Sequence, residues 1–239
     1  MIYQVILALL LSPPSGMWGV LNSPVEPDSQ KVVKLPQPQH KSEVSLEQCL
    51  LMRRSIRSYT EKPLKVSEIS QLLWAAQGIT SKDGKRTAPS AGALYPLEVY
   101  LVAGNVTDLQ SAVYKYRPAD HSLVEVLAGD QRLKLSEGTG SRNSVRDAAV
   151  VLVIAAVYQR TLEKYKRRGV RYVDMEAGHA TQNAWLQAQS LQLGVVTVGG
   201  FDEKHVASIL RMEAEEEPLY LLPVGRIEYT SSSGTAAVR

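Results

Sequence analysis

The sequence predicts an α+β domain in which helices cover both faces of a mixed sheet. The 239 residues are enough for one sizeable domain with a proper core. Ala148–Val157 is a nearly uninterrupted apolar run rich in valine, which is typical of a central strand covered on both faces. Segments with helical periodicity alternate with shorter strand-like runs, and this arrangement favours three layers.

Two helices are predicted in the first third of the domain. Ser45 and Gln48 fit a capping box, so the first helix begins there and runs to about Arg53. The second begins at Ser67 with its apolar residues on one face, and Gly78 is placed to end it.

The rest of the chain alternates between predicted strands and helices. Strands are predicted at Leu97–Val102, Tyr114–Tyr116, Leu123–Leu127, Val195–Val198 and Tyr220–Val224, and helices at Thr161–Arg168, Asp174–Leu193 and Glu203–Arg211. Alanines recur along one narrow face of the long helix, and small residues there permit close helix–helix approach in a monomer core or a dimer core. Gly194 is expected to end that helix.

The N-terminal region is predicted to stand apart from the domain. Val5–Leu11 is apolar but too short to span a bilayer, and neither a preceding basic residue nor a clear cleavage site identifies it as a signal peptide. An exported or membrane-tethered form and a start codon placed too far upstream explain it equally well, so the compartment, cytoplasmic or not, stays open. Residues 22–42 contain four prolines and resemble a linker. We therefore expect a segment at 1–42, a domain at 43–230 and a flexible tail at 231–239.

Composition excludes several classes of function. The net charge of +3 is too mild to favour nucleic-acid binding. A single cysteine, Cys49, excludes an intramolecular disulfide and a cysteine-based metal site, and we expect a buried thiol. The four histidines lack the spacing of zinc ligands, so no metal site is predicted.

Four separated motifs together suggest a site for a phosphate-bearing aromatic cofactor, and flavin mononucleotide (FMN) is the candidate. Arg53-Arg54-Ser55-Ile56-Arg57 and Arg226 supply guanidinium groups, which hold phosphate oxygens bidentately. Pro89-Ser90-Ala91-Gly92-Ala93 and Gly199-Gly200 supply small residues that let a planar ligand approach the main chain. Taken singly, these motifs also suit a solvated helix end, a tight surface loop and an ordinary turn.

The same motifs, in the same order, carry a family resemblance. Together with Gly178-His179-Ala180-Thr181-Gln182-Asn183, they resemble the nitroreductase-like FMN oxidoreductases, most closely the SagB-type dehydrogenases, which oxidise peptide azolines. The resemblance extends from about Ser45 to about Glu228. It implies a three-layer α/β/α fold with a mixed, mainly antiparallel sheet, and a homodimer with flavin at the subunit interface.

The resemblance also assigns roles to residues. Arg53, Ser55, Arg57 and Arg226 would hold the phosphate, with Arg54 in the same run; Pro89, Ser90, Ala91, Gly92 and Ala93 would lie along the flavin ring or ribityl chain. Gly199, with Gly200 beside it, would present a main-chain N–H to flavin N5. Many relatives have an acidic residue at the first of these two positions, so only the backbone role carries over to glycine.

A catalytic pair is implied at Lys164-Tyr165, because the SagB branch is associated with such a pair. Azoline oxidation needs a base that removes a proton while hydride leaves to N5. The alternative is a solvated charged helix, since Lys166, Arg167 and Arg168 continue the basic run.

The resulting hypothesis is an FMN-dependent oxidoreductase that moves hydride through N5 in two half-reactions. NADH or NADPH would reduce the flavin during a transient visit, because the chain lacks a Rossmann-type glycine fingerprint. One alternative is a dedicated peptide azoline dehydrogenase, re-oxidised by dioxygen. Another is a flavin-binding or storage protein without catalysis, and a third, a membrane-anchored redox partner, depends on the N-terminal apolar run.

Overall fold

The computed structural model describes residues 31–228. The predicted apolar run at Val5–Leu11, the first part of the linker (residues 22–30) and the predicted tail at 231–239 lie outside the described residues.

The chain forms nine strands and seven α-helices over the described range. The strands are β1 (Val32–Lys34), β2 (Leu64–Lys65), β3 (Leu97–Ala103), β4 (Val106–Thr107), β5 (Ala112–Arg117), β6 (Ser122–Ala128), β7 (Val150–Ala156), β8 (Leu193–Val195) and β9 (Glu217–Arg226). The helices are α1 (Leu46–Met52), α2 (Val66–Gln77), α3 (Arg132–Glu137), α4 (Arg142–Asp147), α5 (Gln159–Tyr165), α6 (Arg168–Ser190) and α7 (Glu203–Leu210).

Seven strands form one sheet in the order β1-β6-β5-β3-β7-β9-β8, and every neighbouring pair in it is antiparallel. A separate two-stranded parallel pair joins β2 to β4. The apolar run predicted as a central strand is β7, which lies between β3 and β9 with all seven residues buried. The predicted α+β architecture with a mainly antiparallel central sheet is confirmed, and the parallel pairing among the described residues lies in the separate β2–β4 pair.

Alternate residues of β7 enter two separate cores. Leu152 and Ile154 belong to a core shared with α2 and α6, whereas Val151 and Val153 belong to a core shared with α3, α4 and α7. Because successive side chains of a strand point to opposite faces, helices cover both sides of the sheet. This confirms the three layers. The alanine face of α6 packs into the first of these cores.

The first two helices begin and end close to the predicted positions. Ser45 accepts a hydrogen bond from the Gln48 amide at 3.2 Å, and the Gln48 side chain accepts one from the Ser45 amide at 3.1 Å. This confirms the capping box, and Cys49 is buried as expected. Gly78 caps α2 because a β-carbon there would lie 2.2 Å from the Trp74 ring.

The predicted boundary between the basic helix and the long helix is wrong. Lys166 has a left-handed backbone with φ of 52°, so the basic run breaks there and is divided between α5 and α6. The long helix therefore starts at Arg168 instead of Asp174, and it ends at Ser190.

Gly194 does not end the long helix but lies inside β8. A β-carbon at this position would come within 2.8 Å of the Ile56 side chain, so glycine allows another segment to cross the strand closely. The strand predicted at Val195–Val198 is displaced accordingly, and Val198 forms only an isolated bridge to Leu221.

The sheet extends further toward the N-terminus than the predicted domain start at residue 43. Val32–Lys34 forms an edge strand against β6, and Leu35 is buried behind it. The Ser70 hydroxyl then donates to the Pro36 carbonyl at 2.5 Å. Part of the predicted linker thus packs against the domain.

Candidate active site

The strand register separates the predicted site residues into two groups at opposite ends of the sheet. β3 runs from Leu97, opposite Ala156, to Ala103, opposite Val150. Six residue steps separate these pairs, which corresponds to about 20 Å along the strands. We call these two ends of the sheet, measured along its strands, the Leu97 end and the Ala103 end.

The basic run and Arg226 meet at the Ala103 end. The Ile56 amide donates to the Val195 carbonyl at 3.0 Å, and the Thr60 amide donates to the Arg226 carbonyl at 2.8 Å. Val195 in turn pairs with Val224, which pairs with Val150. Residues 53–60 therefore pass across the Ala103 end of the sheet, where β9 ends.

Two side chains of the basic run are available to a ligand. Ser55 and Arg57 are exposed and make no hydrogen bond or ion pair within residues 31–228. The Arg53 guanidinium lies 4.6 Å from the centre of the Trp185 ring. Arg54 folds back onto carbonyl groups at the end of α1, at 2.8 and 3.1 Å. The structure thus separates Arg54 from the others, since its donors are used locally.

Arg226 is paired with a carboxylate that the sequence analysis missed. Its two terminal nitrogens donate to the two oxygens of Glu68 at 2.9 and 2.8 Å. The side chains are 24% and 13% exposed, so the pair is largely withdrawn from solvent. Glu68 also accepts from the Lys65 amide at 2.8 Å. The guanidinium is fixed in place, but part of its charge is already offset.

The small-residue segment forms an unusual turn at the Leu97 end. Gly92, Ala93 and Tyr95 have φ of 64°, 54° and 47°, which is the left-handed region that only glycine adopts without penalty. The Tyr95 amide donates to the Ser90 side-chain oxygen at 2.9 Å, and the Ala93 amide donates to the Ser90 carbonyl at 3.1 Å. Pro89, Gly92 and Ala93 are exposed. We call Ser90–Tyr95 the site turn.

Lys164 and Tyr165 lie directly against the site turn. A β-carbon on Gly92 would come within 2.9 Å of the Tyr165 hydroxyl and 3.0 Å of the Lys164 ammonium nitrogen. The Lys164 side chain is exposed, whereas the Tyr165 ring is half-buried and meets the Tyr172 ring edge to face at 5.1 Å. Two motifs that are far apart in sequence are therefore neighbours in the fold.

Arg160 connects α5 to the site turn. One terminal nitrogen lies 2.6 Å from a Glu98 oxygen on β3, and the other donates to the Tyr95 carbonyl at 3.3 Å. Arg160 stands one helical turn before Lys164. Arg160 was not predicted as a site residue, because an arginine on a basic helix carries no sequence signal of its partner.

A buried carboxyl and a half-buried guanidinium lie beneath the site turn. Glu176, on α6, is only 2% exposed. Burial raises the pKa of its carboxyl to about 7, while the Ser90 hydroxyl and the charge of Arg86 act in the opposite direction. The Arg86 guanidinium lies 4.6 Å from the centre of the Tyr95 ring and donates to Gln77 at 2.8 Å.

The glycine pair lies between the two ends. Val198 and Leu221 exchange main-chain hydrogen bonds at 2.8 and 2.9 Å, which fixes the start of the turn at Gly199 and Gly200. Both glycines are exposed, and across the described residues neither amide donates a main-chain hydrogen bond. A β-carbon at Gly199 would only touch the Tyr220 ring at 3.5 Å, so this position needs no glycine on steric grounds.

One cleft borders the ion pair of Arg226 but is lined by none of the residues predicted for the site. It has a volume of about 1000 Å³ and is lined by the chain at 37–46, α2 and α6, with Trp74, Gln71 and Asn183 among its walls. Glu68 and Thr87 both line the cleft. The cleft therefore extends from the ion pair of Arg226 toward the segment before the site turn.

The part of the chain that the structure describes offers neither a cluster of metal ligands nor a helix that could cross a membrane. Between residues 31 and 228, no three histidine, cysteine or acidic side chains are grouped as metal ligands would be. In the same range, no helix has both the length and the apolar character needed to cross a membrane.

Comparison with protein-family models gives a match to the nitroreductase family over residues 50–226, which is most of the chain. A relative from Methanocaldococcus jannaschii, MJ1384, assigned to the nitroreductases, is 45% identical over 184 residues, covering 77% of this chain and 92% of its own. A crystal structure of a Ralstonia eutropha JMP134 protein, likewise assigned to the nitroreductases, superposes with a TM-score of 0.74 at 30% identity. That match covers 91% of this chain and all of the other.

A third similarity is to a microcin-processing protein. The Escherichia coli Microcin B17-processing protein McbC is 32% identical over 134 residues, which is 54% of this chain and 49% of McbC. A chain of the solved E. coli microcin synthetase McbBCD complex, with truncated pro-MccB17 bound, superposes with a TM-score of 0.65 at 26% identity. It covers 84% of this chain and 79% of its own length.

Proposed function

The chain belongs to the nitroreductase family, and on that basis we propose that it is an FMN-dependent oxidoreductase that transfers hydride through flavin N5 in two half-reactions. The observation that carries the proposal is the contact of Lys164 and Tyr165 with Gly92 in the site turn. It joins proton-transferring groups to a segment whose small residues permit close approach of a planar ring.

The residues fit FMN at both ends of the sheet. At the Ala103 end, the exposed Arg57 and Ser55 offer a guanidinium and a hydroxyl to a dianionic phosphate, with Arg53 and Arg226 nearby. At the Leu97 end, the exposed main chain of the site turn suits the edge of a ring system. The amides of Gly199 and Gly200 lie between these groups as donors.

Two protomers would complete the site. The Ala103 end and the Leu97 end of one chain are about 20 Å apart along the strands, by the rise per residue of a strand. Leu46, Leu50 and Leu51 leave an exposed apolar surface on α1, just before the basic run. A partner covering this surface would exclude water from the phosphate groups, so we propose a homodimer with flavin at the subunit interface.

Each group of residues has a defined task in the reaction. When bound, FMN supplies the N5 atom that accepts and donates hydride. Arg57, Ser55 and Arg226 bind and orient the phosphate, and the Gly199 amide orients the ring. Tyr165 and Lys164 hold or move a proton at the face of the site turn, which substrate oxidation needs when hydride leaves.

Anaerobic reduction tests this function. We expect purified protein loaded with FMN to lose its yellow absorbance when NADH or NADPH is added, and to recover it with a quinone, a nitroaromatic compound or dioxygen. A protein that binds FMN but is reduced by neither nicotinamide, nor by any of the substrates below, is instead a flavin-binding protein without catalysis.

A peptide azoline dehydrogenase is the second candidate, favoured by the Lys164-Tyr165 pair at the site turn and by the similarity to McbC. Such an enzyme removes two hydrogens from a thiazoline or oxazoline, one as hydride and one as a proton, and dioxygen re-oxidises the flavin. Synthetic thiazoline peptides, followed by mass spectrometry for loss of two hydrogens, distinguish this activity from reduction of nitro compounds.

A further inference from the structure

The guanidinium group of Arg53 lies over the ring of a tryptophan that has no role in the function proposed above. The distance from the central carbon of the guanidinium to the centre of the Trp185 ring is 4.6 Å. Trp185, on α6, is 8% exposed and packs in the core that α6 shares with α2. Because side chains in a close-packed core keep defined orientations, this ring is a fixed surface for the group above it.

The main chain around Arg53 is anchored on both sides. The Arg53 amide donates to the Cys49 carbonyl at 3.0 Å and so closes the last turn of α1. Beyond it, the Ile56 amide donates to the Val195 carbonyl at 3.0 Å. The anchored main chain and the buried ring together therefore define where the Arg53 guanidinium lies.

The ring holds Arg53 without using its hydrogen-bond donors. Within residues 31–228, the half-buried Arg53 side chain makes no hydrogen bond and no ion pair. An aromatic ring attracts a cation through the negative face of its π-system, and it carries no charge that would offset the cation. By contrast, Arg226 is paired with Glu68, and Arg54 donates to main-chain carbonyls. Arg53 thus combines a fixed position with five N–H donors that are still available to an anion.

The indole N–H of Trp185 indicates that the ring face is what this position uses. Its Nε1 atom is buried and has no hydrogen-bond partner among the described residues. A buried donor without a partner is costly, and leucine or phenylalanine would fill a core position without that cost. Tryptophan attracts a cation more strongly than the other aromatic residues do, which offsets the cost where a guanidinium lies over the ring.

We propose that Trp185 is a positioning residue for cofactor binding: its ring holds the Arg53 guanidinium ready for the phosphate of FMN, and so favours FMN over riboflavin, which lacks that phosphate. An arginine that is already held in place loses less conformational freedom when it binds an anion. The proposal rests on the function above for the identity of the flavin and for the place of its phosphate.

Fluorescence titration with FMN and with riboflavin tests the proposal. Trp185→Leu should weaken FMN binding about threefold to tenfold, as loss of a partly desolvated cation–π contact would, and leave riboflavin binding within about twofold. Trp74→Leu is the matched control, because the Trp74 ring lies against His40, with 5.3 Å between ring centres, and should leave the ratio of the two affinities unchanged. Equal losses of FMN and riboflavin binding in Trp185→Leu indicate a general packing role and overturn the proposal.

A double-mutant cycle separates an effect through Arg53 from any other effect of the ring. Arg53→Ala should lower FMN affinity by itself, and adding Trp185→Leu to it should cause no further loss. A further loss as large as that of Trp185→Leu alone would show that the ring acts on FMN without Arg53, which contradicts the proposal.

Nuclear magnetic resonance of the parent protein gives a measurement that does not depend on the folding of a Trp185 variant. An aromatic ring shifts the resonances of groups over its face upfield, so the Arg53 side-chain hydrogens, assigned by their loss in Arg53→Ala, should be shifted upfield without flavin. FMN should then move the guanidinium resonances, whereas riboflavin should not. Absence of the upfield shift, or equal responses to the two flavins, overturns the proposal alone. A parent protein that binds neither flavin contradicts the proposed function and the proposal with it.

Discussion

Individual side chains at the Ala103 end differ in how free they are to hold a phosphate. Arg57 is exposed without a partner in the described structure, Arg226 is held by Glu68, and Arg54 bonds to its own main chain. Arg57→Ala should therefore weaken FMN binding tenfold to a hundredfold, since a charge-assisted hydrogen bond contributes about 1.5–3 kcal/mol. Flavin fluorescence titration measures this.

Arg226→Ala and Arg54→Ala complete that series. We expect a smaller, several-fold loss for Arg226→Ala, because Glu68 already offsets part of its charge, and little change for Arg54→Ala, because its donors are used by main-chain carbonyls. Equal losses for Arg54 and Arg57 would mean that only the overall charge of the run matters.

The pKa of Glu176 predicts how stability depends on pH. Its carboxyl has a pKa of about 7 in the folded protein and 4.5 ordinarily, so between these values the folded state binds more protons than the unfolded state. The free energy of unfolding should therefore fall as pH rises from about 4.5 to 7, by up to about 3 kcal/mol. Urea denaturation at pH 5 and pH 8 measures this, and Glu176→Gln should remove most of the difference.

The role of Lys164 in the proposed chemistry can be tested directly by substitution. Lys164→Ala should leave FMN affinity within about twofold and slow any reaction that needs proton removal by about a hundredfold or more. Lys166→Ala is the matched control, because that ammonium group donates to the Glu163 carbonyl and caps α5 away from Gly92. Equal turnover of the parent and Lys164→Ala would remove Lys164 from the reaction.

Sequence patterns indicated which residues could bind or react, but they did not indicate which carboxylates lie next to the charged or polar side chains of the site. Lys164-Tyr165 and Ser90-Ala91-Gly92 were both predicted as site segments, and the structure places them in contact. Glu68, Glu98 and Glu176 were not predicted, since each sits in an ordinary helix or strand pattern. Their significance comes from Arg226, Arg160 and Ser90, which lie far from them in sequence.

At the scale of elements, Arg160 on α5 is hydrogen-bonded to the main chain of the site turn. Its guanidinium reaches both Glu98 and the Tyr95 carbonyl, a fork that a lysine cannot reproduce. Arg160→Lys should therefore reduce kcat for oxidation or reduction several-fold with FMN affinity preserved, because Lys164 and Tyr165 lose their fixed distance from the turn. Steady-state kinetics measure kcat, and flavin titration measures FMN affinity on the same variant. An unchanged kcat would show that α5 is held by its packing on α6.

Element boundaries were predictable where local chemistry sets them. The capping box of Ser45 fixes the start of α1, and Gly78, which packs closely on Trp74, fixes the end of α2. The break at Lys166 was missed, because its left-handed backbone leaves no signal in a run of basic residues. Gly194 was misplaced for a related reason: its close neighbour, Ile56, arrives from another part of the chain.

At the scale of the whole molecule, periodicity predicted three layers but not the order of strands. The apolar run of β7 required burial on both faces, which antiparallel neighbours satisfy as well as parallel ones would. The edge strand at Val32–Lys34 joins through main-chain bonds to β6 and has only three residues, so its sequence resembled a linker. The separation of the site into two ends follows from the register, which one sequence does not reveal.

If the site is completed by a second protomer, as proposed, that separation makes FMN binding depend on assembly. Leu51 is 74% exposed on α1, beside the basic run, whereas Leu133 is 60% exposed on α3, in the layer on the opposite face of the sheet. A glutamate at position 51 would bring a charge into the proposed interface, where burying it is costly. Leu51→Glu should therefore give folded monomers that retain little FMN. Leu133→Glu changes the same residue type at similar exposure and should stay dimeric and yellow. Light scattering measures the oligomeric state, and absorbance measures the FMN content of the same samples. A Leu51→Glu protein that remains dimeric with full FMN would place the interface on another surface.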